Sequence, residues 1–205
     1  MQVVYNTKGI GDVFIITLKK TEENVETKSY GDVTKVQDKE TKDVVAYNIF
    51  NASKYLNLQE GLPIQIDSEL VKRFEKIFQQ NGLEDTLEQV DVSPKFVIGK
   101  VSQVEKHPEA DKLNICQVDV GEEELQIVCG AKNVSESQKV VVAKVGAFMP
   151  DGMAIEASEL RGVASSGMIC SAKELNLDDP TQQEGIFVLS DDAEVGQPFA
   201  FEVSS

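Results

Sequence analysis

The sequence predicts two unlike halves, a small α+β domain followed by an all-β barrel or sandwich. Three observations predict this. Apolar, β-rich segments recur as far as Asn51; the stretch after Asp67 carries one apolar stripe at helical spacing; and from Lys95 onward short strand-like segments alternate with turn signals. At 205 residues the chain is long enough for two domains that each bury a core.

Val13-Phe14-Ile15-Ile16-Thr17-Leu18 is a β-rich run flanked by Gly11-Asp12 and the charged stretch Lys19–Glu23. Asp32–Asp38 and Val44–Phe50 are further strands, joined by a polar turn at Asp38–Lys42. Together they are expected to form an antiparallel sheet. Leu70, Val71, Phe74, Ile77 and Phe78 then fall three and four apart, on one face of a helix. Asp67 or Ser68 caps its start and Asn81-Gly82 ends it, so the stripe is expected to pack on the sheet. The acidic run LEDTLEQVDVSP reads as a linker, because Pro94 drives its predecessor out of the helical region. The boundary is set there, with domains at 1–92 and 93–205.

Beyond it Phe96–Val104, Leu113–Val120, Leu125–Cys129 and Lys139–Val145 read as strands. Ile155–Leu160, Ile186–Leu189 and Phe199–Val203 continue the series. So many short strands favour a closed barrel or sandwich over a layered α/β fold. Arg161–Met168 is rich in small residues, bears one of only two arginines, and reads as an exposed polar loop. Ser171-Ala172-Lys173-Glu174 is a capping box that predicts a short helix through Leu175.

Composition removes most enzyme classes. A single histidine, His107, excludes a multi-histidine metal site, so no metal and no cofactor is expected. Cys116, Cys129 and Cys170 lack CxxC spacing and read as reduced, buried thiols. Gly9-Ile10-Gly11 begins like a dinucleotide fingerprint, but Phe14 stands where its third glycine belongs, and it reads as a turn. His107 lies among Glu105, Glu109 and Asp111, yet no nucleophile is identifiable, and a solvated turn between strands is the expectation. Asp12, Asp32, Asp43 and Asp67 lack metal-ligand spacing, so no catalytic residue is assigned. No apolar run approaches the roughly 20 residues of a bilayer span, and the N-terminus does not read as a signal peptide. A cytoplasmic protein with no membrane association is expected.

Several motifs run in order. They are His107-Pro108-Glu109-Ala110-Asp111-Lys112-Leu113, Cys129-Gly130-Ala131-Lys132-Asn133 and Leu160-Arg161-Gly162-Val163. Ser165-Ser166-Gly167-Met168-Ile169-Cys170-Ser171, Glu174-Leu175 and Glu184-Gly185-Ile186 follow. This series resembles the tRNA-binding OB-fold domain of the bacterial phenylalanyl-tRNA synthetase β subunit, shared with methionyl-tRNA synthetase extensions and free-standing tRNA-binding proteins. With an α+β domain in front of it, the chain resembles the YtpR family. The resemblance implies an OB fold over about Lys95–Phe201 and tRNA as partner, and assigns no role to the first domain.

Residues carried over from the motifs are Lys112, Asn133, Arg161, Ser165, Gly167 and Met168. Lys112 and Arg161 would hold phosphate, and Asn133 and Ser165 would bond sugar or phosphate oxygens. Gly167 would admit the backbone closely, and Met168 would touch an exposed base or fill the barrel mouth. Three have a stated rival: Asn133 also reads as fixing a turn, Lys112 as pairing with Glu109 or Asp111, and Met168 as core. Against RNA binding stands the charge, −15 in all, with nine Lys and Arg against nineteen Asp and Glu in residues 95–205. Recognition must therefore be local. The competing reading is a protein-interaction module whose OB fold takes a basic partner, such as a translation-associated protein. A homodimer joined at Phe199-Ala200-Phe201 and an ordinary terminal strand stand as equal readings of that segment.

Overall fold

In β2 (Val13–Thr17) and β5 (Val44–Phe50) every second side chain is buried, the period that a strand with one face on a core requires. They form the centre of an antiparallel sheet with β1 (Gln2–Tyr5), β3 (Val25–Tyr30) and β4 (Val33–Asp38), in the order β1-β2-β5-β4-β3. The computed structural model describes residues 1–5, 7–19, 24–57, 63–182 and 184–201. It divides into two compact units, Met1–Ser93 and Pro94–Ser205.

Helix α1 (Ser68–Gln80) covers one face of this sheet, burying Val71, Phe74, Ile77 and Phe78 against Phe14, Ile16, Tyr47 and Ile49. The Asp67 carboxylate accepts from Leu70 N at 2.7 Å and so satisfies one of the donors left over at the helix start. The run after the helix is not a free linker. Leu83 and Leu87 are 3% exposed within the same core. Asp85 accepts from Tyr47 Oη at 2.6 Å and pairs with Lys35 at 2.7 Å. Glu75 of the helix accepts from Leu87 N at 2.7 Å. Asp85 of this run is thus matched to fixed donors, while its leucines, spaced four apart, supply the apolar contact.

The second unit is built on β6 (Phe96–Lys106), which pairs over its first half with β9 (Lys139–Ala143) and over its second with β7 (Asn114–Asp119). A register shift at Ser102 bends the strand between the two ladders. β8 (Glu124–Cys129) pairs with β7, and β12 (Met168–Ile169) and β13 (Val188–Leu189) pair with β9. The order β12-β9-β6-β7-β8 is nearly closed into a barrel where β11 (Val163–Ser166) and β12 come against β8. Ser165 makes the link, its Oγ accepting from Val128 N at 3.1 Å. Val101, Cys116, Val118, Val140 and Ile127 fill the interior.

Three segments differ from expectation. Arg161–Met168 is not a free loop: β10 (Ala157–Leu160) and β11 form a tight hairpin across it, and β12 follows. The Ser171 capping box forms, with Ser171 Oγ accepting from Glu174 N at 3.1 Å and Ser171 N donating to the Glu174 carboxylate at 2.8 Å. It closes a single turn, Leu175 N to Ser171 O at 3.2 Å, before the chain departs. Of the expected Phe199–Val203 strand, residues 202–203 lie outside the described residues, as do 20–23 of the Lys19–Glu23 stretch. Phe199 and Phe201 form no strand; their rings meet each other at 5.1 Å, and Phe201 meets Phe96 at 5.3 Å. Ring packing there adds to a short stretch of pairing with β6, in which Ile98 N donates to Gln197 O and Phe199 N to Phe96 O, both at 2.9 Å. Among the described residues no helix is long and apolar enough to cross a membrane.

All three cysteines are free and buried. Burial pushes the thiols of Cys116 and Cys170 up to about 12 and raises Cys129 as well. At pH 8 the native protein should therefore leave iodoacetamide nearly unconsumed, with all three thiols labelled only in denaturant. Acid should act on the first unit. Ser53 and Tyr5 hold the Asp12 carboxyl below its usual value, and Tyr55, Asn51 and Lys54 do the same for Asp32. A depressed folded-state value stabilises above the unfolded value and loses that contribution as pH falls through the folded one. Thermal melts should fall below about pH 4, and less so in Asp32→Asn than in the parent.

Candidate nucleic-acid interface

β6 ends at Lys106 and β7 begins at Asn114, so the segment between must reverse within a short loop. Leu113 N donates to Ala110 O at 2.9 Å and His107 N to Leu113 O at 3.1 Å, which closes it. His107 is 4% exposed, so the expected solvated turn is instead a buried histidine. Glu109 N–H donates to His107 Nδ1 at 3.0 Å. An amide N–H can only donate, so Nδ1 is the bare nitrogen and Nε2 carries the hydrogen. Nε2 then donates to Leu160 O at 3.0 Å. One side of the ring fixes the loop, and the other reaches the β10–β11 hairpin fifty-three positions away.

The hairpin tip meets the same loop. Leu160 pairs with Val163, which leaves Arg161-Gly162 as a two-residue turn. Its φ angles of 47° and 80° are both positive, as a type I′ turn requires. Glycine adopts this freely, but an arginine there carries a cost of about 1–2 kcal/mol. Arg161 Nη1 donates to Glu109 O at 3.1 Å. Two hydrogen bonds therefore tie loop 107–113 to the hairpin tip, one buried and one at the surface.

Lys112 and Arg161, both exposed, come to one end of the barrel through this tie. Lys106 closes β6 at the same end, and Lys132 follows Gly130, whose position abuts Leu113. None of Lys106, Lys112 and Lys132 forms an ion pair among the described residues, although Glu105, Glu109 and Asp111 are close in sequence. Lys100 and Lys144 lie elsewhere, the first in register with Asp119 at the far end of β7, the second paired with Glu123 at 3.1 Å. The outer side of β6, β7 and β8 carries a row of glutamines, with Gln117 Nε2 donating to Gln126 Oε1 at 3.0 Å and Gln126 Nε2 to Ala164 O at 2.8 Å. It presents no aromatic ring for a base to stack on.

The remaining residues singled out from the motifs serve the frame of this mouth. Asn133 Nδ2 donates to Ile186 O at 3.0 Å and Oδ1 accepts from Ile186 N at 2.9 Å, so its amide stands in for a strand partner. A Cβ at Gly185 would overlap that amide. Ser165 is 3% exposed, its hydroxyl occupied by β8. Gly167, at φ 120°, passes so near β9 that a Cβ would lie 2.9 Å from Ala143 O. Met168 is half-buried against the Phe96 cluster. Sequence reasoning missed the part played by His107. A lone histidine followed by proline signals a turn, but nothing in that pattern says which distant carbonyl the ring will meet.

Among the described residues no group of three or more His, Cys, Asp or Glu is placed to hold a metal ion. Replacing His107 by Ala leaves Leu160 O and Glu109 N without partners and should lower stability by about 2–4 kcal/mol in urea titrations. Arg161→Asn, which suits the left-handed turn, should be at least as stable as the parent in the same titration.

Comparison with known proteins bears on both units. The family described as "Putative tRNA binding domain" matches residues 96–198, and one described as a domain of unknown function matches residues 11–90. The chain is 53% identical to "Putative tRNA-binding protein YtpR" of Bacillus subtilis, over 98% of this chain and 100% of that one. It is 44% identical to the phenylalanine–tRNA ligase β subunit of Oceanobacillus iheyensis, over 74% of this chain but only 18% of that subunit. A solved structure of a MetRS related protein from Pyrococcus horikoshii overlaps 54% of this chain and 96% of its own, at 24% identity and a TM-score of 0.38.

Proposed function

The chain belongs to the YtpR family, and on that premise we propose that it is a cytoplasmic, non-catalytic protein that binds folded tRNA at one mouth of its OB barrel. The observation that carries this reading is the joining of loop 107–113 to the hairpin tip, which brings Lys112 and Arg161 together. Arg161 spends one N–H on Glu109 O. A guanidinium has five, so the rest of its fork is available to a phosphate. Lys106 and Lys132 extend the same cationic end. Asn133, Ser165 and Gly167 act by holding the mouth in shape, and Met168 packs in the Phe96 cluster. With no aromatic platform on the outer face, recognition rests on phosphate, 2′-hydroxyl and shape instead of stacked bases. Buried reduced thiols suit the cytoplasm.

A local site of this kind answers the problem set by net charge. The long-range field of the chain opposes an RNA, and screening at physiological salt shortens it to about 8 Å, within which the four cations act directly. A second reading, an OB unit that takes a basic protein partner, is favoured by one observation. Lys100 and Lys144 do not join the cationic end, and acids gather around the β7–β8 turn, where Glu123 engages Lys144.

Fluorescence anisotropy with labelled bulk tRNA, against a single-stranded RNA of equal length, separates the two. Contact with four to six phosphates should give a slope of log K on log salt of roughly −3 to −5. Arg161→Ala should weaken all tRNAs alike and lower that slope by about 1. Loss confined to one isoacceptor would contradict a phosphate role, and no binding at low salt would leave the protein-partner reading.

A further inference from the structure

The sheet of the first unit has two faces, and α1 covers only one. Strand alternation assigns Phe14, Ile16, Tyr47 and Ile49 to the helix side. Their neighbours Val13, Ile15, Ala46 and Phe50 therefore point the other way, joined by Val4 across β1 and Val36 across β4. None of these six belongs to a hydrophobic cluster of the unit, and Phe50 is 43% exposed. The other positions in the same rows, from Gln2 on β1 to Ser29 on β3, are Thr, Ser, Asn and Gln. Ser29 and Thr34 confirm the shared side, with their hydroxyls 2.9 Å apart. The one charged strand residue that alternation brings to this side is Asp38, at the end of β4, and its carboxylate is taken up by Glu40 N and Thr41 N of the turn that follows.

So little charge is unusual for this chain, in which 27% of residues are charged and the net charge is −15. The charges of the unit sit on the other side or at its rim: Lys35 with Asp85, Lys42 with Glu26, Lys28 over the Tyr30 ring. We infer that this nearly uncharged face is where two copies of the chain associate, sheet to sheet about a twofold axis.

Charge selects the occupant. Two copies of an acidic chain repel wherever charged surfaces meet, and a face with almost no charge is where identical molecules can approach with little of that penalty. The same lack of charge leaves little with which to attract a basic or acidic partner. Shape agrees as well. Sheets of one hand of twist stack face to face at about 30° and 10 Å, so a twisted sheet is complementary to its own copy. Strands about 4.8 Å apart, with about 3.4 Å per residue, make this face roughly 400 Å² in plan. Two corrugated copies would then bury on the order of 1,000 Å², the lower edge of a specific interface. A weak dimer follows, one that forms at tens of micromolar. This inference stands apart from the tRNA reading, since none of these residues belongs to the barrel.

Sedimentation equilibrium of the full chain tests it. Mass should rise from one copy to two across about 1–500 µM, with a midpoint of tens of micromolar. Added salt should tighten the association, because it screens repulsion between the acidic surfaces without weakening an uncharged contact. Ile15→Glu should raise the midpoint at least about tenfold, and Thr17→Lys, a milder change in the same rows, should raise it too if the glutamate variant fails to fold. A single-copy mass throughout would overturn the inference, including the case in which the rest of the chain covers this face. Association that both variants leave unchanged would also overturn it, by placing the contact elsewhere.

Discussion

One strand is shared by two ladders, and the second unit depends on it. β6 pairs with β9 as far as Lys100 and with β7 from there to Lys106, so the sheet must bend where the partner changes. The bend is a register shift at Ser102, whose hydroxyl donates to Gln117 O at 3.1 Å and so keeps the extra residue bonded. Because β6 turns there, β8 and β9 swing round until the chain after β9 can fill the gap. Ser165 and Gly167 are residues of that filling segment, one a hydroxyl with a fixed partner, the other a position with no room for a side chain. Their restriction in type follows from closure of the barrel before any ligand is considered.

The same closure makes the cationic end. Loop 107–113 leaves the end of β6 and the hairpin leaves the crossing after β9, two points that are neighbours only once the barrel exists. A buried imidazole joins them, and burial is tolerable because both ring nitrogens are bonded. Arg161 then sits in a conformation that favours glycine or asparagine, with its guanidinium against the loop. A residue held where its type is disfavoured points to a use for its side chain, and the use we propose is charge at the mouth of an otherwise acidic unit. The arrangement would reconcile a net charge of −15 with the anionic ligand we propose: the field is averaged over the whole surface, but contact energy is collected within a few ångströms.

The first unit follows a different logic. Its helix and the returning Leu83–Val92 segment bury one side of a five-stranded sheet, and carboxylates with fixed donors hold the joints. Asp67 caps the helix, Asp85 takes Tyr47 and Lys35, Asp32 takes Tyr55 and Asn51, and Asp12 takes Ser53. Acidity here is partly structural. The opposite side of the sheet carries no charged strand residue except Asp38 at its edge, in contrast with the rest of the unit.

Much of this was legible in the sequence, because local order is written in local periods. The stripe Leu70–Phe78 could only be one face of a helix, and Val13–Thr17 and Val44–Phe50 carried the alternation of strands, so the α+β half and the helix-on-sheet part of its core needed no coordinates. The strand-rich second half and its ordered motifs likewise indicated the OB fold and the family. Tertiary structure decided the rest. That Leu83 and Leu87 anchor an acidic run, that Arg161–Met168 is a hairpin and a strand, that Asn133 is bonded to Ile186, and that His107 reaches Leu160 are all consequences of pairing between positions far apart in the chain. A side chain's type limits what it can bond, but its partner is chosen by barrel closure, which brings together residues that no local period relates.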